Sequence, residues 1–576
     1  MQETALMRQI IGILLTWGTV LSMSGQVADI KKTYQTYDSI STVSLLHKAE
    51  FYSLAENYEK AAFYGELAVQ ANLELYGNRS IEYMESAMKL SLIYAKMNDF
   101  PHVIQFMRPA ITISKMLLQK EYEDLNYFQR YLSWQNLHTI FDDIYPNYVA
   151  HCQTDSAVSD LYDTFIFSKG ITTNRKKALK DVTWKDIQNN LSEKDIAIEF
   201  ISPSNIEADT IFFYALTIRK DSKYPQMTYL FNIWQLQDSI KHSCNDNEKN
   251  LKVGQLIWDS LLTELKGIEN IYFSPTHILH SIAIENLPIN KHESYSDRYN
   301  IYRLTSTREI ATNRIRNSYA TAALFGGLEY EDSISTSSIK TKHRSGFEKL
   351  YHTELEVDSI TKILTSKNVV CFTYKGHSGT EEVFKSLSGK SIDILHVASH
   401  GKYISSDDVP TKREYNNYNF LATKEPKLPI YNDKALSRSF IVLSNGNRLT
   451  KWYSLQNTED GIITALEIAT MDLTGCSIAV LSTCDSALGE FGFDDSIIGL
   501  QSALKYAGVN TILMNLDKVD DEATQILMVE FYRNLMNGKT KYQSLKEAQQ
   551  YLRRIENGKY DDPKYWATFI MLDGLN

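Results

Sequence analysis

The sequence is poor in cysteine, which argues against two common classes of stabilised module. Its 576 residues contain five cysteines, namely Cys152, Cys244, Cys371, Cys476 and Cys484. They form no CxxC pair and no spacing typical of a metal site, so neither a zinc module nor a dense disulfide framework is predicted. Because the number is odd, at least one thiol stays free unless the chain pairs with another.

An excess of basic residues is also missing. Lys and Arg together number 60 and Asp and Glu number 70, which gives a formal net charge of -10. Proteins that bind nucleic acid neutralise phosphates with a basic surface, so nucleic acid is not expected as a partner. The hydrophobic and charged fractions, 43% and 23%, are those of an ordinary globular protein, and the length predicts two to four structural units.

After the N-terminus, no apolar run is long enough to predict a stable membrane span. The apolar run from Ile10 to Leu21 follows Arg8 and precedes the small residues Ser22, Ser24 and Gly25, which is the order of a secretory signal peptide. It is shorter than the roughly 20 residues that cross a bilayer. We therefore expect residues 1–25 to be a signal peptide of a secreted or periplasmic protein. The alternatives are an uncleaved N-terminal anchor and the first buried helix of a cytoplasmic protein.

The region that follows repeats itself at a distance of 42 positions. Tyr58 aligns with Phe100 and Ala68 with Ala110, and each unit reads as a tight turn followed by a second helix. The units resemble tetratricopeptide repeats of the longer kind found in kinesin light chains. Such stacked helix pairs expose a surface for a protein partner, so residues 26–155 are predicted to bind one. The alternative is that these helices only cap the next domain.

Residues 156–254 are predicted to form a linking α/β region, and residues 255–576 an α/β sheet domain in which strands and helices alternate. The expected elements are a helix at 161–169, strands at 196–201 and 210–218, a polar loop at 241–252, a helix at 253–265 and a strand at 271–273.

Two stretches of the sheet domain carry candidate chemistry. Residues 391–401 contain an apolar strand that ends just before His400. A second short strand, Ile478–Leu481, is followed closely by Cys484. The carboxyl ends of parallel strands meet at one edge of a sheet, where α/β domains present their sites. We therefore predict that His400 and Cys484 lie close together, although they are 84 positions apart.

A thiol beside an imidazole is the pairing that a cysteine peptidase needs. A free thiol titrates near 8.5 and is mostly protonated at neutral pH, whereas a neighbouring imidazolium stabilises the thiolate and can later protonate a leaving amine. The competing interpretation is that His400 is a hydrogen-bonded histidine at a strand end and Cys484 a small buried apolar residue.

The chain from Gln255 to Asn576 resembles the CHAT domain, a caspase-related module found with tetratricopeptide repeats. The matching pieces occur in one order over more than half of the chain. They are Tyr272-Phe273-Ser274-Pro275, Leu279-His280, Ser306-Thr307-Arg308, Leu324-Phe325-Gly326-Gly327, Leu395-His396-Val397-Ala398-Ser399-His400-Gly401, Thr464-Ala465-Leu466-Glu467-Ile468, Leu481-Ser482-Thr483-Cys484, Ala507-Gly508, Val519-Asp520-Asp521-Glu522-Ala523-Thr524, Phe531-Tyr532, Ala548-Gln549 and Tyr565-Trp566-Ala567-Thr568-Phe569.

This resemblance implies a caspase-like α/β fold behind helical repeats and a cysteine endopeptidase that acts on protein or peptide substrates. Its catalytic residues would be His400 and Cys484, with the backbone amides of Gly401 and Cys484 as the oxyanion hole and with no metal or organic cofactor. The family commonly has Leu-Trp where this chain has Leu516-Asp517, so the wall of the cleft and the specificity are expected to differ there.

Two acidic residues and one further histidine complete the candidate site. Asp520 and Asp521 follow the predicted strand 511–516, and Asp521 resembles the acidic position that separases use to recognise arginine. Either residue is equally suited to cap the helix that begins near Glu522. His396 lies four residues before His400, about 13 Å away on a strand, so the two are not expected to share a metal ion. His396 is predicted to be structural or to support the site indirectly.

Two further functions remain open from the sequence. The chain could be a non-enzymatic scaffold or signalling module, in which the repeats bind a partner and the C-terminal domain transmits that event. It could also be a thiol-based redox sensor, because an exposed thiol of low pKa is readily oxidised.

Overall fold

The computed structural model describes most of the chain, and the predicted signal peptide and Cys484 lie outside the described residues. These are residues 42–122, 125–135, 137–173, 182–205, 209–241, 246–312, 318–331, 347–404, 433–447, 460–483, 489–491 and 497–575. None of the helices in these ranges is long and apolar enough to cross a bilayer.

The N-terminal part is helical. Its elements are α1 (Thr42–Leu54), α2 (Tyr58–Tyr76), α3 (Ile81–Lys96), α4 (Phe100–Glu121), α5 (Tyr127–Gln135), a π-helical segment (Thr139–Ile144), α6 (Tyr145–Cys152) and α7 (Asp155–Ser168).

The turns between α1 and α2 and between α3 and α4 have the same conformation, 42 residues apart. Glu56 and Asn98 both adopt left-handed backbone angles, with φ of 57° and 56°. The next residues, Asn57 and Asp99, cap the following helices by accepting hydrogen bonds from backbone N–H groups three residues on. The sequence repeat therefore corresponds to a repeated helix–turn–helix unit. Its assignment to the tetratricopeptide class and its partner-binding role remain predictions.

In the described residues, the strands of the main sheet are β1 (Asp195–Ile201), β2 (Ser204–Asn205), β3 (Thr210–Arg219), β4 (Gln226–Asn232), β5 (Asn270–Ser274), β6 (Asn300–Arg303), β7 (Thr321–Leu328), β8 (Val370–Gly376), β9 (Ile394–Ala398), β13 (Ile478–Ser482), β16 (Thr511–Asn515) and β17 (Phe569–Leu572). They form a 12-stranded sheet in the order β2-β3-β1-β5-β6-β17-β16-β13-β9-β7-β8, with β4 paired to β3. Two small sheets comprise β10 (Gly401–Tyr403), β11 (Ser439–Val442) and β12 (Ile462–Thr464), and β14 (Glu490–Phe491) and β15 (Ile497–Ile498).

Helices cover both faces of the parallel half of the sheet. Those of the sheet region are α8 (Trp184–Asn190), α9 (Ile233–Lys241), α10 (Asp246–Trp258), α11 (Tyr295–Arg298), α12 (Glu309–Thr312), α13 (Tyr351–Ser366), α14 (Glu381–Lys385), α15 (Asp433–Ser437), α16 (Ala465–Thr470), α17 (Leu500–Ala507), α18 (Asp521–Met536) and α19 (Lys541–Arg554). Helices α13, α18 and α19 pack on one face, and α16 and α17 pack on the other. The N-terminal helical region and mixed α/β sheet confirm the expected fold class.

One expectation for the middle of the chain needs correction. The predicted loop at 241–252 is wrong in its second half, because α10 begins at Asp246. The first residues of α10 are polar, so the sequence predicts a loop there, whereas its later residues Val253, Ile257 and Trp258 are buried. The region 156–254 contributes strand β1, which pairs in parallel with β5 and extends the sheet of the C-terminal region.

A fully buried ion pair ties the helical region to this sheet. Lys169, directly after α7, places its Nζ 3.1 Å from Oε2 of Glu199 on β1, and neither side chain is exposed. Nζ also donates to the carbonyl oxygens of Phe200 and Pro275. The other carboxylate oxygen of Glu199 accepts from the backbone N–H and the hydroxyl of Thr307. Residues from helix, strands and loop thus share one buried polar network.

Candidate active site

The two strands that precede the predicted dyad are neighbours in the sheet. Strands β9 and β13 run in parallel, with Ile394 opposite Ile478 and Ala398 opposite Ser482. The ladder extends one step further, because the Ser399 N–H donates to the Ser482 carbonyl at 3.3 Å. The described strand ends therefore lie side by side at the carboxyl edge, as the sequence predicted. His400 is two residues beyond β9.

The His400 ring is held in a defined orientation. Its centroid lies 5.1 Å from that of Tyr330 and 5.3 Å from that of Phe347. Nε2 of His400 lies 2.7 Å from the carbonyl oxygen of Glu348. A carbonyl oxygen carries no proton, so Nε2–H must be the donor of this hydrogen bond. In the neutral ring the lone pair is then on Nδ1, which is the atom able to act as base.

The wall formed by Tyr330 is itself fixed by hydrogen bonds. Ser399 Oγ donates to the Val442 carbonyl, so its single proton is used there and Tyr330 OH must donate to Ser399 Oγ, at 3.0 Å. Burial raises the pKa of Tyr330 to about 12, so the phenol stays neutral at physiological pH. Tyr330 is therefore an uncharged side chain in a fixed position beside His400, and its hydroxyl proton is used in the hydrogen bond to Ser399.

Gly401 begins β10, whose pairing with β11 determines where its N–H points. The Val442 N–H donates to the His400 carbonyl at 2.8 Å, and Gly401 lies opposite Ile441. Hydrogen-bonded and non-hydrogen-bonded pairs alternate along an antiparallel ladder, so the Gly401–Ile441 pair is of the second type. The Gly401 N–H is therefore directed away from β11 and is not used by this ladder.

The two acidic candidates have different positions. Asp520 is the N-cap of α18, where its side chain accepts a hydrogen bond of 2.9 Å from the Ala523 N–H. Asp521 is the first residue of α18 and is half-buried. Burial raises the pKa of the Asp521 carboxyl, while the nearby His352 and His400 act to lower it. The structure therefore assigns the cap to Asp520 and leaves the side chain of Asp521 uninvolved in that cap.

His396 is buried on β9, away from solvent. Its Nε2 lies 3.0 Å from Oε1 of Glu356 on α13, and its Nδ1 lies 3.3 Å from the hydroxyl of Tyr532 on α18. These contacts join the sheet to the helices on one face.

The departure at Leu516-Asp517 also falls at the carboxyl edge. Leu516 is buried directly after β16, whereas Asp517 is exposed. The Asp517 carbonyl accepts a hydrogen bond from the Asn515 side chain, and its carboxylate accepts one from the Lys518 N–H. An exposed aspartate therefore stands at the position where the resemblance implies an aromatic side chain.

Sequence reasoning missed the residues that orient His400. Tyr330 could have been found, because it lies two residues after β7, the other neighbour of β9, and so at the same sheet edge. The Glu348 carbonyl gives no sequence signal, since every residue carries one. Asn447, whose side chain pairs with the backbone of Phe347, was not singled out either.

Comparison with known proteins gives one family match. The CHAT domain matches residues 251–574, which is more than half of the chain. No curated protein matches the sequence.

Two solved structures share low overall similarity with the chain. The separase–securin complex of Saccharomyces cerevisiae has a TM-score of 0.41 at 9% identity, covering 95% of this chain and 48% of that one. The Arg-specific cysteine proteinase gingipain R has a TM-score of 0.33 at 10% identity, covering 58% and 68%. The chain thus spans about half the length of the separase chain.

Proposed function

The chain belongs to the CHAT-domain family, and we propose that it is a cysteine endopeptidase that cleaves protein substrates with a Cys484–His400 dyad. One observation carries this proposal. The strand that leads to His400 and the strand that leads to Cys484 are parallel neighbours, and the Glu348 carbonyl holds the Nε2–H of His400 so that Nδ1 remains as the base.

The reaction follows from these roles. His400 Nδ1 accepts the proton of the Cys484 thiol, and the thiolate attacks the carbonyl carbon of the scissile peptide bond. The developing oxyanion accepts hydrogen bonds from the backbone N–H groups of Gly401 and Cys484. His400 then protonates the departing amine and leaves a thioester on Cys484. A water molecule, deprotonated by His400, hydrolyses this thioester and regenerates the thiol.

A peptide-library cleavage profile tests this function. Purified full-length protein and its Cys484→Ala variant are incubated with the same library, and products are identified by mass spectrometry. We expect cleavage by the wild type and none by the variant. Alkylation of the folded protein should inactivate it when Cys484 alone is labelled. Cys371→Ala is the matched control, because burial raises the pKa of the Cys371 thiol. Removing that thiol should leave both cleavage and inactivation by alkylation unchanged. If the wild-type protein has a reactive Cys484 but cleaves no peptide, the result would favour a scaffold or a redox sensor.

We further propose that Asp521 selects a basic residue before the scissile bond. An anionic side chain beside the dyad would bind Arg or Lys through a charge-assisted hydrogen bond. Asp521→Asn and Asp521→Ala should each lower kcat/KM for basic peptides by about 10- to 100-fold, with little change for apolar peptides. Asp520→Asn is the control, because asparagine caps helices as well as aspartate does. Equal losses on both peptide classes would reject the selective role.

The same residue predicts how specificity changes with pH. As pH falls through the raised pKa of Asp521, the carboxylate is neutralised and its attraction for a basic side chain is lost. The ratio of kcat/KM for basic peptides to that for apolar peptides should therefore fall as the pH is lowered. The fall should begin at a higher pH than it would if the pKa of Asp521 were that of an ordinary aspartate. In Asp521→Asn this ratio should not change over that range.

The helical region is proposed to regulate the peptidase through a protein partner that docks within residues 41–150. Apolar side chains on α2 are exposed, Phe63 at 57% and Leu67 at 42%. In the full chain, Phe63→Ser with Leu67→Ser should weaken binding of a partner and reduce that partner's effect on kcat, without changing kcat of the isolated protein. Exposed Glu59→Ser serves as the control. An unchanged response to the partner would exclude this face of α2.

A further inference from the structure

We infer that Asn447 is a positioning residue that fixes the backbone carbonyl which orients His400. This inference rests on the proposed function of His400. Asn447 does not touch the reacting atoms. It would act through the neighbouring residues Phe347 and Glu348, whose ring and carbonyl oxygen contact the His400 imidazole.

The Asn447 side chain forms two hydrogen bonds with the backbone of a single residue, Phe347. Its Oδ1 accepts a hydrogen bond of 2.8 Å from the Phe347 N–H, and its Nδ2 donates one of 3.0 Å to the Phe347 carbonyl. Nδ2 also donates to Oε1 of Glu331 at 3.2 Å. Asn447 is 1% exposed, so water does not compete effectively for these bonds. The planar amide thus makes the same pair of hydrogen bonds to the Phe347 backbone that a neighbouring strand would make in a sheet.

The paired segment has no regular structure of its own. Residues 347–350 lie outside any helix or strand, directly before α13. Backbone groups in such a segment depend on side-chain partners for their position. The bonds to Asn447 therefore determine where Phe347 lies, and with it the next carbonyl along the chain, that of Glu348.

Asn447 is itself fixed to the other wall of the site. Its backbone N–H donates to the Tyr330 carbonyl at 2.9 Å, and the Asn445 N–H donates to the Glu329 carbonyl at 3.0 Å. One residue thus joins the backbones of Phe347 and Tyr330, the two aromatic residues that flank His400. Loss of its side chain should let Phe347 and Glu348 shift while Tyr330 stays in place. A displacement of about 1 Å at a catalytic group can cost on the order of 10²-fold in rate.

The main test is the apolar, nearly isosteric Asn447→Leu in the full chain. Its matched control is Asn72→Leu, because Asn72 is also a buried amide that donates to a backbone carbonyl, that of Glu82, but lies in the helical region. Two quantities are measured, namely kcat and KM for a cleaved peptide and the rate at which iodoacetamide alkylates Cys484. We expect kcat to fall on the order of 10²-fold with KM within about twofold, and alkylation to slow.

A second variant keeps the inference testable if Asn447→Leu fails to fold. Asn447→Asp has the same size and retains the oxygen that accepts from Phe347 N–H, but loses the Nδ2 donor. It should lower kcat and the alkylation rate as well. Losses no larger than those of Asn72→Leu would overturn the positioning role.

The alkylation rate separates this inference from the proposed function. The dependence of Cys484 reactivity on His400 is measured with His400→Ala. If the reactivity depends on His400 but not on Asn447, the positioning role alone is contradicted. Reactivity that is independent of His400 contradicts the dyad and with it the positioning role. If the wild type cleaves no peptide but Cys484 reactivity depends on both His400 and Asn447, the peptidase proposal fails and the positioning role is supported.

Discussion

Cys484→Ala and His400→Ala are each expected to lower kcat by on the order of 10⁴-fold or more while leaving the protein folded. Without the thiol no thioester can form, and without the imidazole the thiol remains protonated and the leaving amine receives no proton. The double variant should be only slightly less active than either single variant, because residues that act as one unit have non-additive effects. The cleavage rates of the two single variants and the double variant are measured in single-turnover reactions with one peptide identified from the library.

Matched substitutions guard against an indirect cause. Cys371→Ala removes a half-buried thiol on β8, and His377→Ala removes an exposed imidazole in the turn that follows it. Both variants should retain the wild-type kcat. Near-ultraviolet circular dichroism should be alike in all of the variants. A folded Cys484→Ala protein that still cleaves the peptide would refute the mechanism.

That β9 and β13 end at one edge of the sheet was predictable, because the carboxyl ends of parallel strands meet at the same edge. The strand register adds a constraint that the sequence alone could not supply. Ile394 pairs with Ile478, and this offset of 84 equals the separation of His400 from Cys484. The two residues thus follow their strands by the same number of positions. Short apolar runs, each followed by a candidate reactive side chain, indicated the shared edge, whereas the direct pairing of the two strands is seen only in the structure.

The environment of His400 was much less predictable. Its orientation depends on a backbone carbonyl at Glu348 and on the amide of Asn447, 47 positions further along the chain than His400. Neither has a local pattern, since the contacts form only when separate loops meet beyond the sheet. The cap at Asp520 was predictable only as one of two choices, because adjacent aspartates suit the same role until the helix start is known.

The sheet's extent was missed for a related reason. Strand β1 was predicted at nearly its observed position, but periodicity does not reveal which strand lies beside it. Pairing of β1 with β5 buries Glu199, a charged residue in the middle of an apolar strand. A charge in that position needs a partner, and the partner is Lys169 from the helical region.

Lys169→Met should therefore lower the free energy of unfolding by about 3–5 kcal/mol, the range observed when one member of a buried ion pair is removed. The substitution leaves the Glu199 carboxylate buried without its cation and deprives the Phe200 and Pro275 carbonyls of a donor. Urea denaturation followed by tryptophan fluorescence measures the change. Lys194→Met is the matched control, because its ion pair with Glu269 is exposed and should contribute about 1 kcal/mol or less.

The double variant Lys169→Met with Glu199→Gln distinguishes the charge from the packing. Glutamine keeps an oxygen that can accept from Thr307 but carries no charge, so the double variant should be more stable than Lys169→Met alone. Because this network joins α7 to β1, Lys169→Met should also speed hydrogen exchange in residues 155–173 more than in β9 and β13. Equal destabilisation by Lys169→Met and Lys194→Met, or uniform exchange throughout the sheet, would show that the pair does not hold the helical region to the domain that carries His400.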